Sequence, residues 1–237
     1  MTMIIKVCGM RDADNIRAVS DLGIDMIGFN FSPSSERYVS MVPSGAGIMP
    51  DEPADDLRTD DVSARALRRV GVFADETVQD IVTRVFYFEL DYVQLNGNES
   101  ATMIQNLKAT LNPDVQANVK IIKTIPASVA ADLECCKDYE GVADLFLFDV
   151  KTPIEGNAGA DFYDLLLRHY DGKTPFLLGG DIGPKDADRL NAFHHPMLAG
   201  IDLDSAFELS AGVKDVNLLR DFIQKLDVGR ANSHDAP

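Results

Sequence analysis

Eight short apolar runs recur along this 237-residue chain, all but the second followed by a clear stretch with one apolar face. The runs lie at 3–8, 26–31, 69–73, 92–95, 119–124, 145–149, 175–178 and 200–203. Each is continuously apolar rather than alternating, as in a parallel strand covered on both faces. Helical patterns fit between them at 12–22, 78–88, 101–111, 128–136, 162–168, 185–192 and 216–226. In the first, Ile16, Val19 and Leu22 share a face. In the second, Thr77 stands as N-cap, with Ile81, Val82 and Val85 inward. Strand then helix, repeated through eight strands, predicts an α/β chain closed into a (β/α)8 TIM barrel. A doubly wound sheet is the alternative; it rarely needs eight such units, and the Gly-rich dinucleotide turn after the first strand is missing.

One segment breaks the rhythm. Residues 40–61 contain Pro43, Gly45, Gly47, Pro50 and Pro53 among acidic residues, which excludes a long helix. The second helix is therefore shortened, near 60–67, or replaced by a loop. That loop leaves the barrel's C-terminal face and reads equally as a lid or as a surface excursion. Residues 228–237 read as a flexible polar tail, which makes 1–227 one catalytic domain.

Charge limits the partners. With 22 basic and 38 acidic residues the formal charge is −16, which argues against nucleic acid, whose phosphates seek basic patches. A small anionic ligand stays open, held by backbone N–H groups and a few cations. The cysteines Cys8, Cys135 and Cys136 form no C-x-x-C pair, so a reduced, cytoplasmic chain is expected. Neither a leader peptide nor a membrane-spanning run is read in the sequence.

In such a barrel the strand C-termini face the active-site mouth. That rule collects Cys8, Phe31 followed by Arg37, Asn96, Lys123, Asp149, Gly179-Gly180-Asp181, Asp202 and Asp204. Cys8 reads either as a packed small hydrophobe or as a thiolate base, aided by Lys6 or Arg37. Asp149 ends the apolar run 145–148, where a carboxylate is costly unless it is hydrogen-bonded or put to use. Thiol and carboxyl on different strand ends suggest an acid–base pair. Gly179-Gly180 and Ser205-Ala206 follow the seventh and eighth strands, where barrels of this kind hold phosphate on backbone N–H groups. His194 and His195 read as a surface pair, and no metal site is expected.

The same residues carry a family likeness. Ile5-Lys6-Val7-Cys8-Gly9 resembles the K-[IV]-C-G opening of the phosphoribosylanthranilate isomerases. Gly28-Phe29-Asn30-Phe31, Ser35-Glu36-Arg37-Tyr38-Val39, Val70-Gly71-Val72-Phe73 and Val93-Gln94-Leu95-Asn96-Gly97 are similar to further family segments, in order. So are Phe148-Asp149, Gly156-Asn157-Ala158-Gly159, Leu178-Gly179-Gly180, Gly200-Ile201-Asp202 and Gly212-Val213-Lys214-Asp215. The resemblance implies an Amadori rearrangement with Asp149 as general acid and Cys8 as general base. It implies that Arg37 pairs with the substrate's aromatic carboxylate, and that Gly179, Gly180, Asp202 and Ser205 bind substrate, chiefly its phosphate. It implies a small phosphorylated substrate, no cofactor, and a monomer or homodimer. Asn96 stands where the family often has His, and Asp204 where it often has Ser, so Asp204 is expected to turn away from phosphate. Two rivals remain. A pentose-phosphate epimerase would need histidines on strand ends, and a silent phosphate-binding barrel would lack Cys8 or Asp149.

Overall fold

The computed structural model describes residues 3–40, 67–150 and 169–231. The expected helices near 60–67 and at 162–168 lie largely outside these residues, as do most of the 40–61 segment, the loop at Gly156-Asn157, and residues 232–237.

Eight parallel strands close into a barrel in sequence order. They are β1 (Ile4–Val7), β2 (Met26–Asn30), β3 (Arg68–Phe73), β4 (Tyr92–Leu95), β5 (Lys120–Ala127), β6 (Leu145–Val150), β7 (Phe176–Gly180) and β8 (Leu198–Leu203). Around them run α1 (Ala13–Ser20), α2 (Val78–Phe88), α3 (Ala101–Leu111), α4 (Cys136–Tyr139), α5 (Ala187–Ala192) and α6 (Val216–Ala231). Asp12, Thr77 and Ser100 cap the first three, each accepting a backbone N–H three residues on.

Strand alternation divides the side chains between two cores. One parity fills the barrel with Met26, Val70, Ile122, Leu145, Leu147 and Leu177, with Ile4 and Tyr92 against them. The other parity, including Ile5, Val7, Phe29, Ile121, Phe146, Phe148 and Phe176, packs beneath the helices. The barrel's N-terminal rim is pinned by three aspartates. Asp25, Asp91 and Asp144 each precede an even strand, and each accepts the backbone N–H of the preceding odd strand, from Ile5, Arg69 and Ile121, at 2.8 Å.

Four local expectations change. Strand β5 runs on to Ala127; beyond Lys123 it pairs only with β6, and Pro126 is tolerated on such a half-partnered stretch. The helix expected at 128–136 is a 3-10 turn, Ala130–Cys135, leading into α4. Asp132 accepts the N–H groups of Ser128 and Val129 and closes the chain tightly there. The last helix, expected over 216–226, reaches Ala231. Between β8 and α6 a hairpin, β9 (Glu208–Ser210) with β10 (Val213–Lys214), is too short to show a period in the sequence.

Candidate active site

Cys8 follows β1 and keeps the inward parity of Ile4 and Lys6. Its N–H donates to the Leu203 carbonyl at 2.9 Å, which ties the turn to β8. The register of β1 on β2 brings it beside Gly28. A Cβ on Gly28 would sit 2.8 Å from the Cys8 sulfur, so the absent side chain is the space the thiol occupies. The thiol is pushed up to about 12. Burial is the largest cause; the charge of Lys6 and its hydrogen bond pull the other way, while Asp202 and Asp204 add to the rise.

Asp149 has the inward parity of Leu145 and Leu147 one step nearer the mouth, and pairs in register with Pro126 and Gly179. Gly179 is confined by packing: a Cβ there would meet Leu147 Cδ1 at 2.9 Å and Asp202 Cβ at 3.3 Å. Gly180 adopts φ +90°, where a side chain would run into the Val150 carbonyl. Both glycines thus bring bare backbone to the mouth.

Lys6 and Asp202 face each other across the β1–β8 register and pair at 2.8 Å inside the barrel. Lys6 is fully buried and Asp202 nearly so. Asp202, expected to bind substrate, lies in this pair. Its carboxylate turns to Lys6 beneath the mouth, because a buried ammonium in that layer requires a counter-ion. Among the described residues Asp202 Oδ1 has no hydrogen-bond partner. Burial raises the Asp202 carboxyl and Lys6 opposes it.

Arg37 is engaged as well. Its Nε and Nη2 donate to the two oxygens of Glu208 at 2.8 and 2.6 Å, a bidentate fork. Glu208 also accepts from Lys214 Nζ at 2.7 Å, and Lys214 donates to Asp204 at 2.8 Å. Burial raises the Glu208 carboxyl, but the hydrogen bonds from Arg37 and Lys214 outweigh it and hold the group below the usual range. Lys214 holds Asp204, with Arg37 Nε 3.5 Å away. Ser205 is exposed and opens the turn between β8 and the hairpin. Glu208 escaped the sequence reading, and Lys214 entered it only within the segment Gly212-Val213-Lys214-Asp215, with no role given.

Two further expectations change. Lys123 faces outward, with the parity of Ile121 and Ile125, and donates to Glu99, Leu95 O and Gly97 O beneath the loop after β4. The inward residue beside it is Thr124, whose hydroxyl donates to Asn96 Oδ1 at 2.6 Å. His194 is exposed, whereas His195 is half-buried against Tyr170 and Phe176, with Met197 N–H donating to its Nδ1. Among the described residues no group of three or more His, Cys, Asp or Glu is arranged to hold a metal. No described helix is long and apolar enough to cross a membrane.

Residues 5–225 match the sequence model of the N-(5′-phosphoribosyl)anthranilate (PRA) isomerases. A relative from Parabacteroides distasonis, named N-(5′-phosphoribosyl)anthranilate isomerase, is 38% identical over 98% of this chain and 99% of its own length. The crystal structure of phosphoribosyl anthranilate isomerase from Thermotoga maritima superposes with TM-score 0.73 at 25% identity, covering 96% of this chain and all of that one. A phosphoribosyl anthranilate isomerase in complex with reduced 1-(o-carboxyphenylamino)-1-deoxyribulose 5-phosphate shares the fold, with TM-score 0.72 at 23% identity over 96% of this chain and 100% of that one.

Proposed function

The chain belongs to the N-(5′-phosphoribosyl)anthranilate isomerase family, and from that premise we infer its reaction and the residues that carry it. It is an isomerase of tryptophan biosynthesis. It converts N-(5-phosphoribosyl)anthranilate into 1-(2-carboxyphenylamino)-1-deoxyribulose 5-phosphate. The observation that carries the catalytic assignment is the shared inward parity of Cys8 and Asp149 at one mouth, on strands that do not pair with each other.

Asp149 in its acid form protonates the furanose oxygen. The C1′–O bond breaks, and the anilino nitrogen's lone pair forms the iminium. Cys8 as thiolate then removes the C2′ proton, and those electrons neutralise the iminium to give the enolamine. Protonation at C1′ and loss of the enol proton yield the ketone. Burial raises the thiol, and the iminium charge formed on ring opening assists its ionisation. Arg37 has two nitrogens on Glu208, which leaves Nη1 for the substrate carboxylate. Backbone at Gly179-Gly180 and Ser205 holds the phosphate, above Asp202 in its pair with Lys6. Residues 1–227 are read as one cytoplasmic catalytic domain, a monomer or homodimer, which light scattering decides.

Turnover of freshly made substrate, followed by loss of its anthranilate fluorescence, tests the assignment. Cys8→Ala and Asp149→Asn should each lose about 10²–10⁴-fold in kcat while still binding product. Wild-type-like turnover in either removes that residue from its role.

A further inference from the structure

Beneath the mouth lies a buried pair that the acid–base scheme does not use. Lys6 and Cys8 stand two residues apart on the same inward face of the first strand. The Lys6 ammonium is completely buried and donates to Asp202 Oδ2 at 2.8 Å. It shares that face with Cys8, and its positive charge favours the thiolate.

Asp202 is an unusual anchor. Its second oxygen is buried with no hydrogen-bond donor among the described residues. A carboxylate serving only to fix a lysine is more stable when donors satisfy both oxygens. Asp202 is paired with Lys6, with Asp204 and Lys214 as further charges acting on it, and its own charge acts on Cys8 against that of Lys6. Among the described residues four charged groups act on the sulfur. Lys6 comes from β1 and Asp202 from β8. Asp204 follows β8, and Arg37 lies in the chain after β2. The neighbour on β2 is Gly28, which brings none. Asp204 and Arg37 are both tied into the hairpin network, which leaves the Lys6–Asp202 pair as the buried element dedicated to this position.

We propose that Lys6 and Asp202 are a positioning pair that sets the basicity of Cys8. Lys6 compensates the charge of the thiolate when the proton leaves, and Asp202 both fixes Lys6 and keeps the thiolate from becoming too weak a base. A thiolate paired with an uncompensated ammonium forms readily but takes a carbon-bound proton poorly; a thiol without the ammonium does not ionise. The proposal rests on Cys8 being the general base.

The test reads Cys8 ionisation apart from turnover, as thiolate far-ultraviolet absorbance against pH, with the matching Cys8→Ser protein subtracted to remove Cys135 and Cys136. Asp202→Asn keeps the shape and removes the opposing charge. It should bring the thiolate transition down by about one to three pH units. The rising limb of kcat against pH should move to acid with it. Lys6→Met added to Asp202→Asn should abolish that shift. Lys6→Met alone should lower kcat by about 10²-fold or more with KM nearly unchanged. Lys6→Arg should recover part of the loss. An unmoved or upward transition in Asp202→Asn overturns the proposal, as does a downward shift that survives loss of Lys6. Should Lys6→Met fail to fold, the Asp202→Asn titration decides alone. Turnover that persists in Cys8→Ser overturns the general-base reading instead, whatever the titrations give.

Discussion

Gly28→Ala tests how closely the thiol must be held. A Cβ at position 28 would lie 2.8 Å from Cys8 Sγ and 3.1 Å from Cys8 Cα. Ordinary van der Waals contact begins at about 3.4 Å, so the sulfur must retreat by roughly 0.6 Å or the strands must part. The backbone of Cys8 is bonded to Leu203, and the register of β1 on β2 is fixed on the other side, so the side chain moves first. Misplacing a reacting group by about 1 Å can cost about 10²-fold in rate, so a loss of roughly 10- to 100-fold in kcat is expected. Overpacking a tight interior site costs about 1–3 kcal/mol. For a chain of this size each kcal/mol lowers Tm by about 2–4 °C, so the melting point should fall by about 2–12 °C. Fluorescence-monitored turnover gives kcat and KM, and circular dichroism gives Tm. Unchanged kcat at a lowered Tm would mean that the thiol position is not critical, and a loss wholly in KM would mean that Gly28 shapes binding instead.

Asp25→Ala leaves the buried N–H of Ile5 without its acceptor at the rim opposite the mouth; urea denaturation should show a loss of about 1–3 kcal/mol, with kcat unchanged. Glu208 lies below the usual carboxyl range when folded, so its stabilisation is complete above the unfolded value near about 4.3 and is lost as pH falls through the depressed one. Glu208→Gln should therefore lower stability at neutral pH and flatten that acid limb in pH-dependent melting. It should also raise KM, because Arg37 loses its charged anchor. His195 is lowered by burial, so its protonation opposes folding; His195→Gln should weaken the fall in stability as pH drops through about 6.5 and below.

The repeating element order was legible because it rests on runs of six or so apolar residues, and α2 and α3 fall where their caps and periods put them. The site was legible only as far as strand ends go. Cys8 and Asp149 lie at the mouth because parity along β1 and β6 is a local property. Parity misjudged by one residue reversed Lys123: counted from Ile122 it faces outward, and Thr124 takes the inward place. What a charged side chain pairs with is not local at all. Asp202 meets Lys6 across 196 residues and Glu208 meets Arg37 across 171, and neither spacing leaves a period to find.

Aspartate does opposite work at the two rims, and only height along the strand tells which. Asp25, Asp91 and Asp144 stand just before even strands, where a carboxylate answers the first backbone N–H of the strand beside it. Their charge is spent on hydrogen bonds that hold the register. Asp149 stands at the other end of the strand that Asp144 opens, five residues later and with the barrel core between them. Strand and residue type are the same, yet at the mouth its register partners are Pro126 and Gly179 rather than an orphan amide. Asp202 lies between these cases, inside the barrel against Lys6. Among the described residues one of its oxygens is held by Lys6 and the other has no donor, so neither the register role of the rim aspartates nor the mouth position of Asp149 describes it, and the proposed action on Cys8 through Lys6 fits its place between them.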